Sequence, residues 1–184
     1  MQQNSIIKIT FDDLAVIKVG NNTRLPLAKL DASSHIHGAL LINIGNRFVP
    51  YMGYWGANDV CLCEWIGELE RIRHEFKSSV QARYCFDEGE QGQPAFLFER
   101  EGEIMYLSII DSAISDGEGD DDWQKVGFSY REFISEYEAF YKRFSAELQR
   151  LAMRALTLFH HSCQGTKPNA TNAKSKGDMV GIEV

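Results

Sequence analysis

One long amphipathic stretch near the C-terminal end constrains the fold more than any other feature of the sequence. Ser129-Tyr-Arg-Glu132 is a capping box, in which the Ser and Glu side chains bind free backbone amides of the first helical turn. Phe128 and Phe133 are spaced as a hydrophobic staple. Apolar residues then recur every three or four positions to about residue 160, which predicts a helix of roughly 45 Å. The stripe comprises Phe133, Tyr137, Phe140, Tyr141, Phe144, Leu148, Leu151, Ala155 and Leu158. Aromatic residues at this spacing are typical of a face buried in a core.

The N-terminal part of the chain predicts several strands followed by a shorter amphipathic helix. Apolar or alternating segments bounded by Gly, Asn and Asp indicate strands or hairpins at 6–11, 15–19, 39–44 and 47–55. Pro50 places the last of these strands at a sheet edge or bulge. A helix is predicted over about 59–78, with Asn58 or Asp59 as its N-cap. Its apolar face, which we expect to pack on the first sheet, comprises Leu62, Trp65, Ile66, Leu69, Ile72 and Phe76.

The same order of elements is then repeated. Strands are predicted at 81–86, 95–98, 104–110 and around 123–128, with a Glu-Arg-Glu-Gly turn at 99–102 in which Gly102 permits the reversal. The long helix follows them. We therefore predict an α+β fold of two units, each of antiparallel strands followed by an amphipathic helix. The predicted boundaries are a single domain over 1–163, with the units at 1–80 and 81–163, and a polar C-terminal tail at 164–184.

Length and composition narrow the class of protein. The chain has 184 residues, of which 44% are hydrophobic and 24% charged, so it is long enough to bury a core and too short for a large multidomain enzyme. The N-terminus lacks the basic and apolar segments of a secretory signal, and no apolar run reaches the length of a membrane span. We expect a cytoplasmic protein without membrane contact. We expect the cysteines at 61, 63, 85 and 163 to be reduced and mostly buried.

The distribution of charge is more informative than the net charge of −7. Residues 1–80 are neutral overall, 81–139 carry four basic and fifteen acidic side chains, and 140–184 carry seven basic and three acidic ones. The acids of the middle segment form clusters at 87–90, 99–103 and 116–122. These clusters predict an acidic surface patch, although Gly-rich acidic clusters also commonly form solvated hairpin turns.

Several residue pairs suggest metal binding without completing a site. His35 and His37 would point the same way in an extended segment and so share a metal, but the sequence shows no third ligand near them. The alternating acids at 116–122 resemble the start of a calcium loop, yet Asp121 and Gly127 stand where such a loop has Gly and Glu. His160 and His161 suit the C-terminal end of a helix. We therefore predict no metal and no other cofactor.

Catalytic signatures are absent from the sequence. It contains no Gly-x-Ser-x-Gly elbow and no Gly-rich phosphate loop. Cys61 or Cys85 would need a histidine brought near by the fold in order to act as a nucleophile. We therefore predict that the protein is not an enzyme.

Three local features carry a resemblance to a known class. They are the Trp65-centred helix segment 64–70, the hairpin 96–107, and the acidic loop before Phe128-Ser-Tyr-Arg-Glu-Phe133. With its acidity, its size and its two repeated units, the chain resembles the immunity proteins of bacterial contact-dependent growth inhibition and related polymorphic toxin systems. Such proteins neutralise a cognate toxin domain, commonly a nuclease, by stoichiometric binding.

The resemblance implies a basic toxin domain as partner, since nucleases bind phosphates through basic clefts. The partner-binding residues that we predict on this basis are Asp116, Glu118, Asp120, Asp121 and Asp122, with Trp123 as an aromatic anchor, and Asp87, Glu88 and Glu90 as second choices.

The layout is also similar to the Whirly type of single-stranded DNA-binding fold, which is the alternative. That family's Lys-Gly-Lys-Ala-Ala-Leu strand motif is absent, and the central strands are acidic where a cationic groove is needed. The arginines and lysines that remain for a basic patch are Arg71, Arg73, Lys142, Arg143, Arg150 and Arg154, and a simpler reading pairs them with nearby glutamates along the helices.

Overall fold

The computed structural model describes residues 6–18, 21–29, 31, 34–53, 56, 58–90 and 92–164, and their side chains except at 21, 22 and 152–164. Its α+β fold confirms the predicted class. The elements run as strands then a helix, twice over. Neither helix, over these residues, holds a stretch apolar enough to cross a bilayer.

The first sheet is built from the N-terminal strands. Strand β1 (Ile7–Lys18) pairs with β2 (Asn21–Leu25) on one side and with β3 (Ser34–Ile44) on the other, and β3 also pairs with the two-residue strands β4 (Arg47–Phe48) and β5 (Val60–Cys61). Every pairing is antiparallel. Helix α1 (Leu62–Ser78) follows β5 directly.

The second sheet is a four-stranded antiparallel meander. It comprises β6 (Gln81–Phe86), β7 (Ala95–Glu101), β8 (Ile104–Ile110) and β9 (Val126–Ser129), in that order. Helix α2 (Tyr130–Gln164) starts where β9 ends. The tail predicted at 164–184 lies outside the described residues except for Gln164, the last residue of α2.

Both sheets and both helices contribute to one hydrophobic core. Trp65 of α1 is buried, and its ring makes edge contacts with Phe86 and Phe96 of the second sheet, with ring centroids 4.9 Å apart in each case. Phe140 and Phe144 of α2 contact Phe11 of β1. The two amphipathic faces predicted from the sequence therefore both pack into this core, although Tyr141 of the α2 stripe is 51% exposed.

Helix α2 also covers part of an open strand edge. The backbone N–H of Ile9 donates to Glu136 (3.1 Å), and Arg143 donates to the Ile9 carbonyl (2.8 Å). Arg143 and Glu136 also form an ion pair at 2.9 Å. Because β2 pairs only with the end of β1, these two side chains satisfy backbone groups that an edge strand would otherwise expose.

The capping interactions predicted at the start of α2 form in part. Ser129 Oγ accepts a hydrogen bond from the Glu132 backbone N–H (3.3 Å), and the Phe128 and Phe133 rings are in contact, as the staple predicts. No hydrogen bond from the Ser129 backbone N–H to the Glu132 carboxylate is present among the described residues, and Glu132 Oε2 is buried without a partner there. The predicted N-cap of α1 is wrong: the helix begins at Leu62 because Val60 and Cys61 pair with β3 instead.

Other boundaries differ for identifiable reasons. The first two predicted strands are one strand, bent by a bulge between Asp12 and Ala15 where Asp13 has a φ of 50°. The strand predicted at 47–55 stops at Phe48, and Val49, Pro50 and the residues to 53 are irregular. The turn predicted at 99–102 is shorter, because β7 continues to Glu101. Residues 21–25, read in part as a turn, form β2.

The cysteines are more accessible than predicted. Cys61 is half-buried, whereas Cys63 and Cys85 are exposed. Cys63 lies in the first turn of α1, and Cys85 lies on the outward side of β6, which alternates between exposed and half-buried positions. All three are free thiols, and the Cys163 side chain lies outside the described residues.

Candidate functional site

Two acidic loops that are separated in the sequence are joined in the structure. The first loop, 87–94, connects β6 to β7, and the second, 111–122, follows β8. We call the two loops together the acidic lobe. They contain nine carboxylates and neither Lys nor Arg, the acids being Asp87, Glu88, Glu90, Asp111, Asp116, Glu118, Asp120, Asp121 and Asp122.

Hydrogen bonds between the loops hold the lobe together. The Asp87 carboxylate accepts bonds from Ser112 Oγ (2.9 Å) and from the Ala113 backbone N–H (2.8 Å). Asp116 accepts from the Gly92 N–H at 2.8 Å, and Ser115 Oγ donates to the Gln93 carbonyl at 3.0 Å. These bonds fix the two loops relative to each other.

The charges of the lobe are not neutralised locally. Among the residues that the structure describes, none of the nine carboxylates forms a salt bridge with a Lys, Arg or His side chain. The Arg47 side chain contacts the lobe, but it donates to the Asp122 backbone carbonyl (2.7 Å) and not to a carboxylate. Its guanidinium lies over the Trp123 ring, 4.5 Å from the ring centroid. The lobe therefore keeps a negative field that a cation on another molecule can neutralise.

Apart from Glu88, which lines the neighbouring cleft, the predicted partner-binding carboxylates fall into two groups within the lobe. Side chains that are exposed and make no hydrogen bond within the lobe are those of Glu90, Glu118, Asp121 and Asp122. Others maintain the loops, since Asp87 and Asp116 bind backbone amides and Asp120 caps the 3-10 turn Asp121–Trp123 through the Asp122 N–H. Trp123 is only 4% exposed and is covered by Arg47, which argues against its role as an interface anchor.

An open cleft of about 930 Å³ adjoins the lobe. Four carboxylates face it, those of Asp59, Glu64, Glu88 and Glu90, the last two belonging to the lobe. The Arg24 side chain also lines the cleft, where it donates to the Asp13 carboxylate (3.0 Å) and the Asn58 carbonyl (2.9 Å). The acidic surface thus continues from an exposed lobe into a recess.

The Glu88 carboxyl, which lines the cleft, has a raised pKa. Burial raises its pKa to about 7, the nearby Trp65 indole N–H opposes this rise, and the charges of Glu64 and Glu90 add to it. The Trp65 Nε1 itself makes no hydrogen bond of normal geometry among the described residues. Glu88 therefore changes charge near neutral pH.

The raised pKa of Glu88 predicts a pH-dependent stability. Since the native pKa lies above the ordinary value of 4.5, the folded state binds this proton more tightly than the unfolded chain, and stability falls as pH rises from about 5 to 8. We expect E88Q to increase the free energy of unfolding at pH 8 by about 1–2 kcal/mol, after allowance for solvent screening, and to have little effect at pH 4. Urea unfolding across this pH range measures the difference.

The exposed neighbour provides the control for this prediction. E90Q removes one carboxylate from the same loop, and its side chain is exposed. We expect it to leave the pH dependence close to that of the wild type. If the free energy of unfolding depends on pH in the same way for the wild type and E88Q, ionisation of Glu88 does not destabilise the native state.

A cluster of His and Cys side chains lies on the cleft wall. His37 and Cys61 both line the cleft, and His35 Nδ1 is 3.6 Å from Cys61 Sγ. The sequence offered no third ligand for the two histidines, but the pairing of β5 with β3 places Cys61 directly opposite His37. Only the short Cys-Leu-Cys alternation could have indicated a strand at this point.

The Cys61–His35 pair lacks the character of a catalytic nucleophile. Burial raises the pKa of the Cys61 thiol to about 11, and the Glu64 charge contributes. The thiol is therefore protonated at neutral pH, whereas thiol catalysis needs a thiolate.

Four of the arginines that the DNA-binding alternative requires are engaged in ion pairs, among them Arg143 with Glu136, and the Arg154 side chain lies outside the described residues. Arg71 pairs with Glu68 and Arg73 with Glu70, both at 2.5 Å, and Arg150 pairs with Glu147. These pairs join residues three positions apart on one helix, as the simpler reading of the sequence predicts.

No protein-family model, curated protein or solved structure matches this chain. The chemistry of the acidic lobe and the cleft is therefore what indicates a function.

Proposed function

We propose that this protein is a non-catalytic immunity protein that neutralises a basic toxin domain in the cytoplasm by stoichiometric binding. The observation that carries the proposal is the acidic lobe, in which nine carboxylates lie on two hydrogen-bonded loops without a cationic side-chain partner among the described residues. The neighbouring cleft extends the same charge into a recess.

Electrostatics supports this kind of partner. A concentrated field of one sign accelerates encounter with a molecule of opposite charge, and this acceleration falls as salt screens the field. The hydrogen bonds of Asp87 and Asp116 hold the loops before binding, so less conformational entropy is lost on association. A nuclease domain, whose cleft must hold phosphates, presents the complementary surface.

The decisive experiment identifies the partner and its effect. The tagged protein is purified from its native cells at low salt, and mass spectrometry identifies any protein that co-elutes in stoichiometric amount. The proposal requires that this protein is basic, arrests growth when expressed alone and ceases to do so when co-expressed with the tagged chain. A partner that does not affect growth contradicts the proposal, and binding of a labelled single-stranded oligonucleotide with micromolar affinity supports the Whirly-like alternative instead.

Neutralising the free carboxylates of the lobe should slow association with the purified partner. We expect E118Q/D121N to reduce the association rate at low salt by about tenfold and to flatten its salt dependence, because steering depends on the local field. Both side chains are exposed and make no hydrogen bond that folding needs. Stopped-flow or surface-based kinetics at several salt concentrations measures the effect.

E75Q/E138Q is the matched control, since it removes the same charge from exposed positions on the two helices. We expect less than a twofold change in rate for this variant. Equal effects of the two double variants would indicate that net charge and not the lobe controls association, and no effect of either would place the interface elsewhere.

A further inference from the structure

We propose that His35, His37 and Cys61 form a binding site for a single zinc ion on the wall of the cleft. The site is independent of the proposed toxin binding. Its three potential ligand atoms, an imidazole nitrogen from each histidine and the Cys61 sulfur, all lie within 4.8 Å of one another. All three residues are half-buried.

The backbone arrangement explains why these side chains meet. His35 and His37 alternate along β3 and so project from the same face of the sheet. Strand β5 pairs antiparallel with β3 and places Cys61 opposite His37, and cross-strand partners project to the same side. The pairing of β5 with β3 therefore places the three side chains on one face before any metal binds.

The spacing suits tetrahedral zinc. With Zn–N bonds of about 2.0–2.1 Å and a Zn–S bond of about 2.3 Å, nitrogen and sulfur ligands are separated by about 3.5 Å along a tetrahedral edge. The observed separation between His35 Nδ1 and Cys61 Sγ is 3.6 Å. The other separations between the three ligand atoms are within 4.8 Å, so small movements of the side chains would bring the atoms to coordination distance.

The Asp59 carboxylate orients the His37 ring for metal coordination. Asp59 Oδ1 lies 3.1 Å from His37 Nδ1, and we assign the imidazole proton to that nitrogen. The lone pair is then on Nε2, where it can coordinate the ion. A carboxylate that receives the second ring N–H is the usual support of a metal-bound histidine, because it fixes the ring and increases its basicity.

The donor set selects the metal. Two imidazoles and one thiolate, which forms when the metal displaces the Cys61 thiol proton, favour zinc over magnesium or calcium, which prefer oxygen ligands. Three protein ligands leave the fourth tetrahedral position to a water molecule. Because His37 and Cys61 line the cleft, the ion would lie on its wall beside the carboxylates of Glu64 and Glu88.

Bound metal would reinforce a weak junction. β5 is two residues long, and α1 begins immediately after it without a side-chain N-cap. Coordination would tie this junction to β3 and so raise the midpoint of thermal unfolding.

The test uses the full-length protein, reduced and freed of metal by a chelator, with Zn²⁺ and Co²⁺ as probes. We expect one equivalent of Zn²⁺ to bind and to raise the unfolding midpoint by several degrees. Co²⁺ should give a thiolate charge-transfer band together with the intense visible bands of tetrahedral cobalt. C61S should abolish the charge-transfer band, and H37Q should weaken Zn²⁺ binding by at least a hundredfold. D59N should weaken Zn²⁺ binding by about tenfold, as expected for a residue that orients a ligand without binding the metal itself.

C85S is the control, because Cys85 is an exposed thiol on the second sheet, and it should leave stoichiometry, affinity and spectrum unchanged. Circular dichroism checks the fold of each variant, and D59N, which retains all three ligands, keeps the test valid if C61S does not fold. The proposal is overturned if the wild type binds Zn²⁺ no more tightly than D59N and H37Q do, or if the cobalt spectrum of the wild type lacks the thiolate band.

Discussion

Replacing Arg100 by Met should lower the free energy of unfolding by about 3–5 kcal/mol, the largest effect that we expect from a single substitution. Arg100 is 6% exposed and lies in β7, where its guanidinium donates to the carbonyl of Phe76 and to that of Gly102 (2.7 Å). It also stacks on the Tyr130 ring, 3.5 Å from the centroid. One side chain thus joins the last turn of α1, the β7–β8 turn and the first turn of α2.

The expected loss of stability in R100M comes from the hydrogen bonds and the ring contact that Arg100 makes. Met fills a similar volume but leaves two carbonyls without their donor, at about 1–3 kcal/mol each, and removes the cation–π contact. Urea unfolding monitored by circular dichroism measures the change. R83M, at an exposed position of the neighbouring strand, is the control and should change stability by less than about 1 kcal/mol. If R100M stays within 1 kcal/mol of the wild type, the three elements do not depend on this contact.

Replacing Gly117 by Ala should separate the two loops of the acidic lobe. A Cβ at this position would lie 1.9 Å from the Gln93 carbonyl oxygen and 2.6 Å from the Pro94 nitrogen, both backbone atoms that no rotation can move away. The loops must shift apart, which breaks the Asp116–Gly92 hydrogen bond and costs about 2–3 kcal/mol. We expect faster amide exchange in 87–94 and 112–117, and weaker binding of any partner that uses the lobe.

G67A is the matched control, and we expect it to increase the stability that G117A decreases. Gly67 lies within α1, where a Cβ would meet nothing within 4 Å, so the same substitution should stabilise the helix by about 1 kcal/mol. Unchanged exchange in the lobe of G117A would mean that the close approach of the loops is not needed for their order.

Sequence patterns predicted the regular elements best where side-chain periodicity was continuous. The α1 stripe of Leu62, Trp65, Leu69, Ile72 and Phe76 is buried as its spacing indicated, and the Phe128–Phe133 staple marks the start of α2. Errors arose where pairing with a distant strand overrode local signals. Cys61 is the clearest example, because the Asn58 and Asp59 capping signals were outweighed by pairing with β3.

The candidate site was predictable only in its parts. The sequence alone identified the acidic residues at 87–90 and 116–122 and the His35–His37 pair, because charge and alternation are local properties of a chain.

Tertiary structure decided which of these residues meet. It joined the two acidic loops through Asp87 and Asp116, covered Trp123 with Arg47, and brought Cys61 to His37 and His35, which lie 24 and 26 residues before it in the sequence. Such contacts depend on how strands pair and sheets pack over a shared core. Therefore the sequence determined the two-unit α+β layout and its acidity, whereas long-range packing determined which charges and ligands lie side by side.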